Sequence, residues 1–399
     1  MKFDIFCEIQ KARPWVADQE RVLFEETLEQ AILADELGFR CWWEVEHHGA
    51  AEFSWSSAPE VFLTWLSQHT RRMRLGHAGV LAPFRINHPL RVAERAAMLD
   101  VISEGRLELG LARSGGNEWD TFHVEPSTTR EELVEAMRMI PKMWTQDEFE
   151  WDSGLIHIPR KNVIPKPLQK PHPPLWQTCG SKESFHLAGT LGVGALGTTL
   201  LTPLSQMESL LRDYRRGLSE CSEPAGRFMN REAAVFTFVH VAESKKEAIA
   251  SGAAAAACWY VNTAPRIFNA PAEIWYGQIR GGFLTGDPAA TRSLEAGGSG
   301  ANTVIGSAPA PKEVPVVALL KRLAAGEVVS DEEVFETLDP LPSVIIGDVA
   351  SCQRKIEAYA DIGVDRLMCL VQFAGIPHER ILRSMRKIGE KLIPIYDGP

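Results

Sequence analysis

No Cys-x-x-Cys pair occurs among the seven cysteines, which are odd in number and scattered along the chain. That pattern suits neither a disulfide scaffold nor a zinc knuckle, and a reducing cytoplasm fits it best. Residues 1–10 lack the basic start and apolar run of a secretory signal, and no apolar stretch is long enough to span a bilayer. The expectation is a cytoplasmic protein with no membrane partner. Positive charge is also scarce. Lys and Arg number 42 against 52 Asp and Glu, a net charge of -10, which argues against a general binder of nucleic-acid backbones but leaves room for a local basic pocket. No Gly-x-x-x-x-Gly-Lys-Ser/Thr loop exists, which excludes a P-loop for polyphosphate. His-x-His and His-Glu-x-x-His are absent as well. A metal site would therefore need His77, His123 or His186 to converge on the adjacent pair His47 and His48 from distant parts of the chain.

What is present is a 399-residue chain, 45% hydrophobic and 24% charged, in the proportions of a globular protein. Gly38 stops an amphipathic helix over 20–37, whose apolar stripe is Phe24, Leu28, Ala31 and Ile32. A short strand, 39–45, then runs into Glu46-His47-His48. A helix near 57–69, a strand at 73–81, a helix opened by Asn87-His88-Pro89 and a strand at 106–112 follow. The third of these carries a stripe of Leu90, Ala93, Ala97 and Val101. Thr129 to Trp144 is a long helix with a capping box of Thr129 and Glu132. A small hairpin at 149–158 and a proline-rich crossing at 159–174 lead to renewed alternation: strand 175–179, a helix from 183, strand 193–198, helix 203–218, strand 234–241 and helix 243–258. Residues 262–340 break the rhythm with Gly281-Gly282, Gly286-Asp287-Pro288 and Ala296-Gly297-Gly298-Ser299-Gly300. They read as an inserted, partly mobile excursion, either a lid or a tether. A helix capped by Asp348, a strand 365–371 and a helix 378–393 close the chain. Eight strands with helices between them predict one (β/α)8 TIM-barrel domain over 1–399, with the long insertion, 262–340, before the last strand. A doubly wound open sheet is the alternative.

In such a barrel, chemistry belongs at the carboxyl ends of the strands. Glu46, His47 and His48 lie at one of them, as acid/base groups, metal ligands or ordinary loop residues. Arg113 lies at another, before Ser114-Gly115-Gly116. Arg130 occupies the first turn of its helix, where the macrodipole disfavours a cation; taken alone it reads as a solvated surface arginine before it reads as the partner of an anion at that helix end. Cys179-Gly180-Ser181-Lys182-Glu183-Ser184 joins a strand end to a helix start; it reads equally as a phosphate-binding turn or a plain serine cap. Gly192-Val193-Gly194-Ala195-Leu196-Gly197 matches the dinucleotide fingerprint, but it follows a helix and reads as a strand, so it is taken as a glycine-rich barrel strand.

These residues, in this order, resemble the bacterial luciferase-like family of flavin-dependent monooxygenases over nearly the whole chain. Glu46-His47-His48 carries the resemblance first. Gly76-His77-Ala78-Gly79-Val80-Leu81 with His88-Pro89-Leu90-Arg91 follows, then Leu99-Asp100 to Gly105-Arg106-Leu107 and Gly110-Leu111-Ala112-Arg113. Tyr260-Val261-Asn262-Thr263 to Ile267-Phe268, and Ile376-Pro377-His378-Glu379 to Leu382-Arg383-Ser384-Met385, complete it. The resemblance implies a TIM barrel binding reduced FMN, in a homodimer. It implies that Arg113, Arg130, Gly180, Ser181 and Ser184 lie around the flavin phosphate and that a cis peptide at Ala78–Gly79 backs the ring. His47 becomes the catalytic acid/base, with Glu46 as the group that could orient it. Two departures stand out: Ala112 replaces a cysteine near the flavin, and Gly180 replaces an acidic residue in the phosphate loop. The first argues against a light-emitting, aldehyde-oxidising reaction.

The activity so implied is that of a two-component monooxygenase. A separate flavin reductase supplies reduced FMN, O2 adds to give a C4a-peroxyflavin, and a small organic substrate receives one oxygen atom while the lid excludes water. Three alternatives remain beside it: hydride transfer with a deazaflavin, a non-catalytic FMN-binding protein, and a metal-dependent barrel hydrolase.

Overall fold

The computed structural model describes residues 1–284, 304–305 and 313–396. Eight parallel strands close into a barrel: β1 (Lys2–Cys7), β2 (Cys41–Glu44), β3 (Arg74–Leu81), β4 (Leu107–Ala112), β5 (Leu175–Thr178), β6 (Gly194–Thr198), β7 (Ala233–Ala242) and β8 (Arg366–Leu370). Each pairs in parallel with the next, and β8 pairs with β1. The chain is thus a TIM barrel and not an open sheet.

Two tryptophans explain why glycine recurs in these strands. A Cβ on Gly76 of β3 would stand 2.1 Å from the Trp43 ring of β2, and one on Gly194 of β6 would stand 2.3 Å from the Trp176 ring of β5. Each indole therefore lies flat across its neighbour strand, and the two rings meet edge to face at 5.2 Å. Beneath them, Arg366 packs over Trp176 at 4.7 Å and bonds to Glu108 at 3.0 Å, while Trp43 donates to Asp4 at 2.7 Å. Aromatic rings and a buried ion network occupy the amino half of the barrel interior.

Most predicted elements appear with small differences. Gly38 takes the left-handed conformation, φ 87°, after the helix Gln19–Leu37. The glycine-rich segment is strand β6, as expected. The buried faces are rotated, however. On the helix Pro89–Ile102 the core side is Val92, Ala93, Ala96 and Ala97, and Val101 is 46% exposed. The first helix buries Leu23, Thr27, Ala31 and Ala34, with Phe24 and Leu28 at the margin. The helix Thr129–Thr145 has Thr128 at its cap, and Thr128 donates to Glu132 at 2.6 Å in place of the predicted capping box. The expected helix 243–258 is two, Lys245–Ala250 and Ala253–Ile267, because Gly252 breaks it at φ 75°. A short strand, Ile345–Asp348, was not anticipated; it pairs with the far end of β7.

The described part of the excursion is mostly helical, with one short antiparallel pair, Phe283–Leu284 and Val304–Ile305. Ala272–Ile279, Pro315–Ala324 and Asp331–Leu338 pack with Ala253–Ile267 into a second apolar cluster that includes Tyr260, Val261, Val317, Leu320 and Phe335. The predicted glycine stretches at 286–288 and 296–300 lie outside the described residues. No helix among the described residues is long and apolar enough to cross a membrane.

Candidate active site

At the carboxyl ends of the strands a cavity of about 380 Å³ opens, roofed by the helices Ala253–Ile267 and Ala272–Ile279. Nine of the residues singled out from the sequence line it, namely Glu46, His47, Ala78, Gly79, Arg113, Arg130, Gly180, Ser181 and Ser184, while His48 does not. They come from four strands, β2 to β5, and the turns and helices that follow them.

One end is cationic. Arg113 donates from Nε and Nη2 to Thr129 Oγ1 at 3.2 and 2.9 Å, which holds its guanidinium against the start of the helix bearing Arg130. Burial and the like charge of Arg130 lower the Arg113 pKa to about 10. An anion at this point would be attracted by both groups. Opposite them, the helix Lys182–Thr190 begins with a reciprocal serine box. Ser181 Oγ accepts from Ser184 N at 3.3 Å, and Ser184 Oγ accepts from Ser181 N at 2.9 Å and Gly180 N at 3.1 Å. The serines therefore do cap the helix, and the same turn aims a helix amino end into the cavity.

In the middle, the Ala78–Gly79 peptide is cis. It lies where the β3–β4 register shifts, and a Cβ on Gly79 would stand 2.9 Å from the Gly110 backbone. Gln177 Oε1 and Thr198 Oγ1, on the same cavity wall, are buried with no hydrogen-bond partner among the described residues. Buried polar atoms of this kind are normally satisfied, and a ligand with polar edges would satisfy them.

The other end holds His47. Its side chain is 14% exposed, and Nδ1 lies 3.1 Å from Oε1 of Glu118, which is 1% exposed. Burial disfavours the imidazolium, but the hydrogen bond and charge of Glu118, with the charges of Glu8 and Glu46, outweigh it and raise the His47 pKa above the usual histidine range. The imidazole edges meet Phe53 at 5.9 Å and Phe268 at 6.2 Å. Glu46, expected as the orienting carboxylate, is engaged elsewhere. It accepts from Leu81 N at 2.9 Å and Asn87 Nδ2 at 2.8 Å and lies 3.2 Å from His48 Nε2. Burial opposes its ionisation, yet these bonds and the charge of His77 hold its pKa below the ordinary value. Glu46 thus ties the β2 end to β3, and the hydrogen bond that orients His47 comes from Glu118.

Two further carboxyl-bearing or phenolic groups had no signal in the sequence as site residues. Glu8, at the end of β1, accepts from Tyr260 Oη at 2.7 Å and faces the cavity. Burial raises its pKa to about 7, against the opposing charge of His47 and the Tyr260 bond. Among the described residues no group of three or more His, Cys, Asp or Glu could hold a metal ion.

A barrel with a cationic pocket at one side, a polar floor and a histidine–carboxylate pair at the other is the plan of a flavin-dependent TIM-barrel enzyme. The sequence profile of the luciferase-like monooxygenase family matches residues 1–307, and the chain belongs to that family. Among relatives, it is 28% identical over 254 residues to the oxygenase component of flavin-dependent trigonelline monooxygenase from Acinetobacter baylyi, covering 62% of this chain and 67% of that one. Three curated relatives are matched over only 54–67% of their own length. Of solved structures, monooxygenase RslO1 from Streptomyces bottropensis superimposes with a TM-score of 0.73 at 24% identity, over 99% of this chain and 100% of that one. The oxygenating constituent of 3,6-diketocamphane monooxygenase from Pseudomonas putida, a type II Baeyer-Villiger enzyme in complex with FMN, gives 0.69 at 16% identity, over 99% and 98%. The coenzyme F420-dependent tetrahydromethanopterin reductase from Methanopyrus kandleri gives 0.63 at 17%, over 99% and 99%. At these identities the structures share the fold.

Proposed function

We propose that the protein is the oxygenase component of a two-component monooxygenase that takes reduced FMN from a separate reductase and uses O2 to oxygenate a small organic substrate. One observation carries this reading: a single cavity joins the Arg113–Arg130 pocket to the His47–Glu118 pair. The relative named as an oxygenase component of a flavin-dependent monooxygenase supports the division of labour with a reductase, and the diketocamphane enzyme with bound FMN supports the cofactor.

Within this reading Arg113, Arg130 and the Gly180–Ser184 turn hold the phosphate. The Ala78–Gly79 peptide would support the ring, and Gln177 and Thr198, whose buried oxygens lack partners among the described residues, would bond to its polar groups. Reduced FMN, when bound, supplies the electrons that activate O2. His47 then gives or takes a proton at Nε2, because Nδ1 is held by Glu118. The apolar walls, among them Phe6, Phe53, Phe236 and Phe268, exclude water. A homodimer belongs to the same proposal, supported by the exposed apolar side chains Val61, Trp65, Met98, Val101 and Ile102 on two neighbouring helices.

Rapid mixing of protein plus photoreduced FMN with oxygenated buffer tests the reading. The expected result is oxygen uptake without immediate return of the oxidised-flavin spectrum. Reoxidation as fast as that of free FMN would count against it. Hydride transfer with a deazaflavin, the alternative that the F420-dependent neighbour keeps open, predicts that FMN reoxidises at its free rate in this assay and that the protein consumes no oxygen when given a reduced deazaflavin in place of FMN.

A further inference from the structure

The helix Ala272–Ile279 brings two unsatisfied donors to the cavity. Trp275 Nε1 and Gln278 Nε2 are buried and have no hydrogen-bond partner among the described residues. They lie three residues apart, hence on one helix face, and both side chains line the cavity. Phe268 connects them to the reacting end, with its ring 5.6 Å from that of Trp275 and 6.2 Å from that of His47. Trp275 is thus placed on the side of His47, with Gln278 on the same helix face. A buried N–H without an acceptor is unfavourable, and a ligand acceptor would relieve it.

The surroundings narrow what that acceptor is. Both donors are neutral, and the nearby walls are apolar, with Phe53, Phe236, Ala264 and Phe268 among the lining residues. The ionisable groups at this end besides His47 are the carboxyls Glu8, Glu46 and Glu118 and the phenol of Tyr260; the carboxyls outnumber the one imidazole and disfavour a substrate carboxylate. A carbonyl oxygen is neutral and carries two lone pairs, so it accepts both N–H groups at once. We propose that Trp275 and Gln278 select a neutral carbonyl compound with an apolar body, its oxygen held between the two donors. What is then done to that compound rests on the monooxygenase reading; its binding does not.

The test uses matched ligands: 1-indanone, indane and indane-1-carboxylate, with acetophenone and ethylbenzene as a second pair. Affinities are measured by saturation-transfer NMR titration on the full chain, with and without FMN. In at least one pair the ketone is expected to bind on the order of tenfold more tightly than its hydrocarbon, since two hydrogen bonds are at stake. Trp275→Phe and Gln278→Met should each reduce that preference and together abolish it, while FMN affinity, measured on the same samples, stays unchanged. The proposal is overturned if no ketone outbinds its hydrocarbon, if the carboxylate outbinds the ketone, or if the preference survives in both variants. Failure of FMN to bind would count against the monooxygenase reading alone, because the ketone comparison is also made without it.

Discussion

Replacing Glu118 by glutamine preserves the size of the side chain and one acceptor oxygen facing His47, but removes the charge. The bond in question is 3.1 Å long and its carboxylate is 1% exposed, so solvent screens it little. A hydrogen bond to a charged group contributes about 1.5–3 kcal/mol and a neutral one about 1 kcal/mol. The difference, about 0.5–2 kcal/mol, corresponds to roughly two- to thirtyfold weaker proton binding by His47. Burial, the largest influence on this imidazole, would then be opposed only by Glu8 and Glu46, and the pKa should fall. The sign for stability follows. A histidine whose folded pKa is raised contributes stability that is fully present below the unfolded pKa and is lost as pH rises through the folded one. The stability gap between wild type and Glu118→Gln should therefore narrow as pH rises. Proton–carbon NMR titration of the histidine Cε1 signals, with His47 assigned from a His47→Gln variant, measures the pKa directly. If His47 titrates at the same pH in both proteins, the pairing with Glu118 does not set its protonation.

Glu8 predicts a trend of the same sign, at a different group. Its pKa is raised by burial to about 7 from an ordinary 4.5, so the folded state binds more protons between those values and stability falls as pH rises through that window. The effect is about 3 kcal/mol; Glu8→Gln should flatten the dependence in urea unfolding between pH 5 and 8, and an unchanged slope would refute the assignment. Gly76→Ala places a methyl group into the Trp43 ring and should lower the unfolding free energy by about 1–3 kcal/mol or more; a thermal midpoint equal to wild type would contradict the packing account. The double variant Trp65→Glu, Met98→Glu should be monomeric by light scattering where wild type is dimeric. A monomeric wild type, or a variant that remains a dimer, would remove the proposed interface.

Much of the architecture was legible because strand and helix periodicities alternate cleanly and glycine marks their ends, as at Gly38. The buried faces were harder. In the helix Pro89–Ile102 the expected Ala93 and Ala97 are buried and Leu90 packs at the core's margin, but small Ala96 gave no signal and apolar Val101 faces outward. The alanine-rich run after Ser251 hid a helix break, because high helix propensity masks a single glycine. The strand Ile345–Asp348 exists only through its partner, the far end of β7, and no local pattern announces that. At the site, the clustered residues were visible as motifs: two histidines together, an arginine at a strand end, a Gly-Ser turn. Glu118 was not. It is one carboxylate 71 positions from the histidine it holds, and such a pair has no spacing to read. Glu8, Trp275 and Gln278 were hidden for the same reason, since only the closed barrel and its roof bring them together.

The central claim is that this cavity binds reduced FMN through its phosphate at Arg113 and Arg130. Anaerobic fluorescence titration with reduced FMN and with reduced riboflavin, on wild type and Arg113→Ala, addresses it most directly. The account predicts that wild type prefers FMN by on the order of tenfold or more, from charge-assisted contacts to the phosphate, and that the variant loses most of that preference. Equal affinity for FMN and riboflavin in wild type would contradict it.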